Sequence, residues 1–197
     1  MLLQLMMCIY FGMQKQGFHQ DEYYSFFSSN RSLGLYEPDR EWQTARTIRN
    51  EFVVLPGEGF RYGLVAQVQS WDVHPPLFYD LLHTMCSIFT GEFSKWLGIA
   101  VNMIAFVLCF WILRALLARL GAGPPMQLLI CSIWGFHPMT ISCVMFIRMY
   151  MWLTVFVFLC ALLHVRMLQE ARQMERPGGI SFYIRFLIPI MICSYLG

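Results

Sequence analysis

Apolar and polar residues fall in long blocks along this chain rather than in short alternating periods. Uninterrupted apolar runs of about 18 residues or more are the mark of helices that cross a bilayer. Residues 96–118 form such a run, with Arg114 as its one charge near the end. Met126 to Val165 is 40 residues long and holds a single charge, Arg148. As one helix it would reach about 60 Å, twice the roughly 30 Å hydrocarbon core. The pattern therefore predicts two spans, 124–139 and 142–165, broken at Phe136-His137-Pro138-Met139-Thr140, where proline removes a helix hydrogen bond. Another apolar run fills 182–197, and one over 1–13 opens the chain. The run after Pro75-Pro76 is shorter and carries Asp80 and His83, which suits a helix lying at an interface over 77–90.

The remaining block, 14–76, is polar and reads as one external loop. Trp42, Ala45, Ile48, Arg49 and Phe52 fall at helical spacing and predict an amphipathic helix over 41–52. Gly57, Gly59 and Gly63 mark turns beyond it. The expected architecture is all-α: a polytopic integral membrane protein with a large first external loop bearing surface helices. A span needs about 20 apolar residues. The first run is shorter than that and the chain stops inside the last, so we expect the N-terminal piece of a longer protein. Met1 opens directly into apolar sequence with neither a basic leader nor a small-residue cleavage site, so a signal peptide is not expected.

Composition sharpens this. Charged residues make up 13% and hydrophobic residues 57%, against roughly 25% charged in soluble domains. The loop concentrates 8 of the 12 acids. Arg114 and Arg119 flank one connector, and Arg166, Arg172 and Arg176 flank another. Placing both connectors in the cytoplasm puts the acidic loop outside and requires 77–90 not to cross. A net charge of +2 without a basic, aromatic-rich cluster excludes a nucleic-acid binder. All seven cysteines lie in apolar segments without a Cys-x-x-Cys pair, as expected of small buried hydrophobes.

Three features carry candidate chemistry. Asp21-Glu22 follows the first apolar run, where a carboxylate at a lipid boundary can act as a general base; the plainer reading is two acids solvating a loop start. Arg148 stands alone in an uncharged run, suited to bidentate phosphate binding or, more plainly, snorkelling from a helix end, with Tyr150 just beyond it. His74-Pro75-Pro76 sets a donor just before the next apolar run, and more plainly starts a helix. His19 beside the acids would allow a divalent metal, but no metal-ligand motif is present and no cofactor is required. Asn30-Arg31-Ser32 is a formal glycosylation sequon.

Taken in order, Asp21-Glu22, Asp72-Val73-His74-Pro75-Pro76-Leu77, the segment from Gly91 to Gly121 that ends in Leu117-Ala118-Arg119-Leu120-Gly121, and Arg148-Met149-Tyr150 resemble the GT-C membrane glycosyltransferases. Within these the likeness is to glycosyltransferase family 39, the protein O-mannosyltransferase and aminoarabinose-transferase group. Phe146-Ile147 stand where family members commonly carry polar residues, and family members have many more spans. The resemblance implies a hexosyl or mannosyl transferase that takes sugar from a polyprenyl- or dolichyl-phosphate donor. The acceptor would be a protein or lipid on the external or lumenal face of a multi-pass membrane, a bacterial plasma membrane in preference to endoplasmic reticulum. It also implies Asp21 as general base with Glu22 beside it, and His74, Arg148 and Tyr150 around the donor phosphate. The alternative is a non-enzymatic polytopic membrane protein, half of a transporter or scaffold; the inverted repeats of a transporter are not evident.

Overall fold

A computed structural model describes residues 1–31, 41–72, 74–173 and 179–196. Ser32 of the sequon and Glu175 and Arg176 of the last connector lie outside the described residues. Among the described residues the chain is helical throughout, without a strand. The helices are α1 (Leu2–Gln14), α2 (Gln20–Asn30), α3 (Ala45–Asn50), α4 (Tyr62–Gln69), α5 (Leu77–Ile88), α6 (Lys95–Arg119), α7 (Pro124–Phe136), α8 (Pro138–Met145), α9 (Tyr150–Arg172) and α10 (Ile180–Leu196). Two of them, α6 and α9, are long and apolar enough to cross a membrane, and the bent pair α7–α8 makes a third if it acts as one span.

The helices sort into a bundle and a cap. In the bundle α6 and α10 both pack on α9, and α1, α7 and α8 pack against α6. The cap is α2, α4 and α5 packed on one another, with α5 also resting on α6. One apolar core lies between cap and bundle and includes Phe26, Phe78, Leu82, Leu97, Ile99 and Ile147. A second, with Cys8, Phe106, Cys109, Val144 and Met151, lies within the bundle. The outer faces stay apolar: Leu3 on α1, Leu128 on α7, Val157 on α9 and Met191 on α10 are all exposed.

Helix ends follow from local chemistry in most places. Ser94 accepts the Trp96 N–H at the start of α6, and Thr44 accepts the Thr47 N–H at the start of α3. The Lys95 ammonium donates to the Met13 carbonyl at 3.4 Å and to the Lys15 carbonyl, closing the C-terminus of α1. At the proline break α7 and α8 are bent by 54°, with Pro138 at the first turn of α8 and the His137 ring accepting the Met139 N–H.

Two segments differ from expectation. The amphipathic helix expected over 41–52 shrinks to the six residues of α3. Trp42, meant to anchor its apolar face, is fully exposed, so burial adds nothing to a helix too short to hold itself. The run 142–165 is likewise not one helix. It is broken again at residues 146–149, between α8 and α9, although no proline or glycine stands there.

Candidate functional site

The second break is held from outside its own sequence. Glu22, completely buried on α2, accepts the Ile147 N–H on Oε1 at 2.8 Å. Asn102, completely buried on α6, donates its amide to the carbonyl of Phe146 at 2.8 Å and of Val144 at 3.3 Å. Gly98 lies under Ile147, and a Cβ there would sit inside the isoleucine side chain. Orphan backbone groups at helix ends need partners when water is excluded. Here a carboxylate, an amide and a missing side chain supply the fit, and the residue they present is Arg148.

Glu22 has a further task at its own helix. Its Oε2 accepts the His19 N–H at 2.6 Å while the His19 ring accepts the Asp21 N–H at 3.2 Å, a reciprocal cap on α2. The Lys15 ammonium lies 2.9 Å from the same oxygen. Both Glu22 oxygens are therefore occupied, and the group ties α1, α2 and the 146–149 turn together.

Arg148 is 8% exposed. Its Nη1 donates to the Tyr79 hydroxyl and to the Asp21 carbonyl, each at 3.4 Å, and its Nη2 lies 3.2 Å from His74 Nε2. A guanidinium only donates, so His74 Nε2 accepts and Nδ1 carries the hydrogen. That hydrogen points to Asp72 Oδ1, 2.7 Å away. Asp72 thus reaches the guanidinium through the imidazole. Among the described residues no carboxylate makes a direct ion pair with Arg148, and its Nε has no partner.

Asp21 is exposed where its neighbour Glu22 is buried. Its carboxyl side chain is 44% exposed, 3.7 Å from His19 Nδ1, beside the carbonyl that Arg148 touches. Tyr150 opens α9 with its ring stacked on Phe146, centroids 5.9 Å apart, and is partly exposed. Tyr79 lies completely buried between these groups. Burial pushes its phenol up to about 12; Arg148 pulls it down, and Asp72, Tyr150 and Asp21 push it further up. The contacts gather the sequence-named Asp21 and His74 around Arg148, with the Tyr79 hydroxyl on the same guanidinium and Tyr150 two residues further along the chain. Glu22 sits behind it as a support. Tyr79 had no role in the sequence reading, and Asp72 entered it only as the first residue of the motif that contains His74, because neither stands out within its own segment. Among the described residues, no group of three or more histidines, cysteines or acids is placed to hold a metal ion.

A second polar network supports the cap. Asn30 is buried, its amide nitrogen donating to the Phe52 carbonyl at 2.9 Å and its oxygen 3.2 Å from His83 Nδ1. The Arg61 N–H donates to His83 Nε2 at 2.9 Å, so Nδ1 carries the hydrogen and donates to Asn30. The sequon asparagine is a structural group in this fold. Next to it Arg31, itself buried, pairs with Glu58 at 2.7 Å and donates to the carbonyls of Val53 at 2.8 Å and of Asn50.

Compared with known proteins, the chain matches no family model, no curated protein and no solved structure.

Proposed function

We propose that this chain is part of a multi-pass membrane glycosyltransferase that moves a sugar from a polyprenyl-phosphate donor to an acceptor hydroxyl. The observation that carries this reading is Arg148, a buried guanidinium with an open Nε and no direct carboxylate partner among the described residues. Burying a cation without a counter-charge is costly, and a planar guanidinium matches phosphate geometry. A phosphate supplies the missing charge. The apolar outer faces of the helices and the two span-length helices suit a substrate that arrives from lipid.

In this reading the acceptor oxygen attacks the anomeric carbon while the bond from that carbon to the phosphate oxygen breaks. The acceptor proton passes to the Asp21 carboxylate, whose exposed position leaves it open to an incoming hydroxyl. Polyprenyl phosphate departs carrying its negative charge, and Arg148 stabilises that charge as it grows. Asp72 and His74 fix the guanidinium from one side and Tyr79 from the other. No covalent enzyme intermediate is needed, and the anomeric configuration inverts. Glu22 acts by position, holding the turn that carries Arg148.

Binding of polyprenyl phosphate to purified protein tests the role of Arg148. Arg148→Ala should weaken it by about tenfold or more, and Arg148→Lys should restore only part, since an ammonium lacks the bidentate fork. Equal affinity in all three proteins would remove the phosphate from this site.

A further inference from the structure

The end of the bundle away from Arg148 carries an excess of positive charge. Helix α9 begins just after Arg148 and ends at Arg172. At that far end the Gln169 amide donates to the Arg119 carbonyl at 2.6 Å, and Arg185 pairs with Glu170, so the ends of α6, α9 and α10 come together. They bring Arg114, Arg119, Arg166, Arg172 and Arg185 with them. Among the described residues Glu170 is the one acid on α6, α7, α9 and α10, and Arg114, Arg119, Arg166 and Arg172 make no ion pair.

Arg114 stands beside a space that can hold a partner. It lies within the span-length α6, about 7.5 Å along the axis before Arg119, where an unpaired cation is costly. Its guanidinium sits over the Trp111 ring, 5.4 Å from the centroid, and that ring is 48% exposed. A cavity of about 200 Å³ lies between α6 and α7, lined by Phe110, Arg114, Pro124, Gln127, Leu128 and Cys131. Arg114 is the one charged residue on its walls, and Gln127 donates to the Ala122 carbonyl at 2.7 Å.

The walls narrow the occupant. An unpaired guanidinium calls for an anion, and its fork matches phosphate. Phe110, Pro124 and Leu128 are apolar, and Leu128 is exposed on the outer face, where hydrocarbon chains lie against a span. The volume is below the about 300–1,000 Å³ usual for a whole small ligand, which suits a phosphate and its glycerol with the chains outside. The surrounding arginines repel the ammonium of a zwitterionic head group and so select a lipid of net negative charge. We propose that this cavity seats the phosphate of an anionic phospholipid, at the membrane face opposite Arg148, as basic pockets between membrane helices do. The site stands apart from the glycosyl-transfer reading and needs only that α6 and α9 cross the membrane.

Trp111 reports on the cavity. The full chain is placed in phosphatidylcholine vesicles holding a small share of phosphatidylglycerol, with bromine on the chains of one lipid or the other. The quenching that Trp111→Phe abolishes measures which lipid lies beside Arg114. Per molecule, brominated phosphatidylglycerol should quench at least about fivefold more effectively than brominated phosphatidylcholine, the scale of one basic side chain at an anionic membrane surface. Arg114→Gln should remove that preference, while Arg172→Gln, which removes the same charge at the end of α9, should leave it. Equal falls in both variants would reduce the effect to surface potential and overturn the site, as would equal quenching by the two lipids. Inorganic phosphate, with ionic strength matched by chloride, should not relieve the quenching; relief would make the ligand a soluble anion and overturn the lipid. Arg114 is exposed, so its variant should melt with the parent. Should it fail to insert, the parent decides alone: about 1 M sodium chloride should reduce the preference, and an undiminished preference would overturn the site.

Discussion

Replacing Glu22 with glutamine separates a supporting carboxylate from a reacting one. Glu22 accepts from three donors, the His19 and Ile147 N–H groups and the Lys15 ammonium, at 2.6, 2.8 and 2.9 Å. A glutamine keeps one acceptor oxygen and turns an NH₂ toward the remaining donors. One backbone N–H is then left buried without a partner, which costs about 1–3 kcal/mol. The lost attraction to Lys15 adds about 1 kcal/mol at most, because that side chain is 18% exposed and can turn toward water. Glu22→Gln should therefore cost about 1–4 kcal/mol, and Glu22→Ala about 3–5 kcal/mol, the usual range for breaking a buried charged group. For chains of this length each kcal/mol lowers Tm by about 2–4 °C. Thermal unfolding in detergent, followed by tryptophan fluorescence, should thus show Glu22→Gln melting roughly 2–16 °C below the parent. Lys15→Met should move Tm far less. An unchanged Tm for Glu22→Gln would refute the account of the 146–149 turn. Unchanged Tm with lost turnover would make Glu22 a participant in the chemistry.

Three further outcomes follow from the same contacts. Asn102→Asp would turn a carboxylate onto the Phe146 and Val144 carbonyls and should destabilise more than Asn102→Leu, which costs about 1–3 kcal/mol through the carbonyls left open; matching denaturation midpoints would contradict the capping role. Gly98→Ala should destabilise, and Ile147→Ala in the same chain should recover part of the loss, since the new methyl meets the isoleucine; additive losses would deny the contact. For His83, burial lowers the pKa below 6.5, opposed by the Ser29 carbonyl and the Glu58 charge. The unfolded chain then binds the proton more readily, so this stability is complete above about pH 6.5 and is lost as pH falls through the lowered value. Tm of the parent should decline over that window while His83→Gln stays level across it; parallel profiles would exclude His83.

How much of this was visible in the sequence depends on where each constraint comes from. The helices α6 and α9 each hold an apolar stretch long enough to cross a membrane, and the bend at Pro138 has a local cause, so both can be read along the chain. The break at 146–149 cannot. Its cause lies in Glu22, Asn102 and Gly98, which are distant in sequence and none of which marks a helix end by itself. The site shows the same division. Asp21, His74 and Arg148 stand out because a charge or a motif sits beside apolar sequence. Glu22 stands out for the same reason, yet its burial gives it the supporting task. Tyr79 has ordinary surroundings in the sequence, and only the packing of α5 against the rest of the fold gives it its place on Arg148. Asn30 shows the reverse case, a motif match whose side chain is spent inside the fold.

The most direct test of glycosyl transfer measures release of radiolabelled hexose from polyprenyl-phosphate hexose by membranes carrying the protein, beside membranes carrying Asp21→Asn. The exposed Asp21 side chain makes few structural contacts, so the variant should insert and fold as the parent does. The account predicts turnover in the parent that falls by about 100-fold or more in the variant, the scale of general-base catalysis. Equal turnover in both would remove Asp21 as the base. Absence of both binding and turnover across several donor sugars, with the protein folded and inserted, would contradict the transferase and favour a transporter or scaffold.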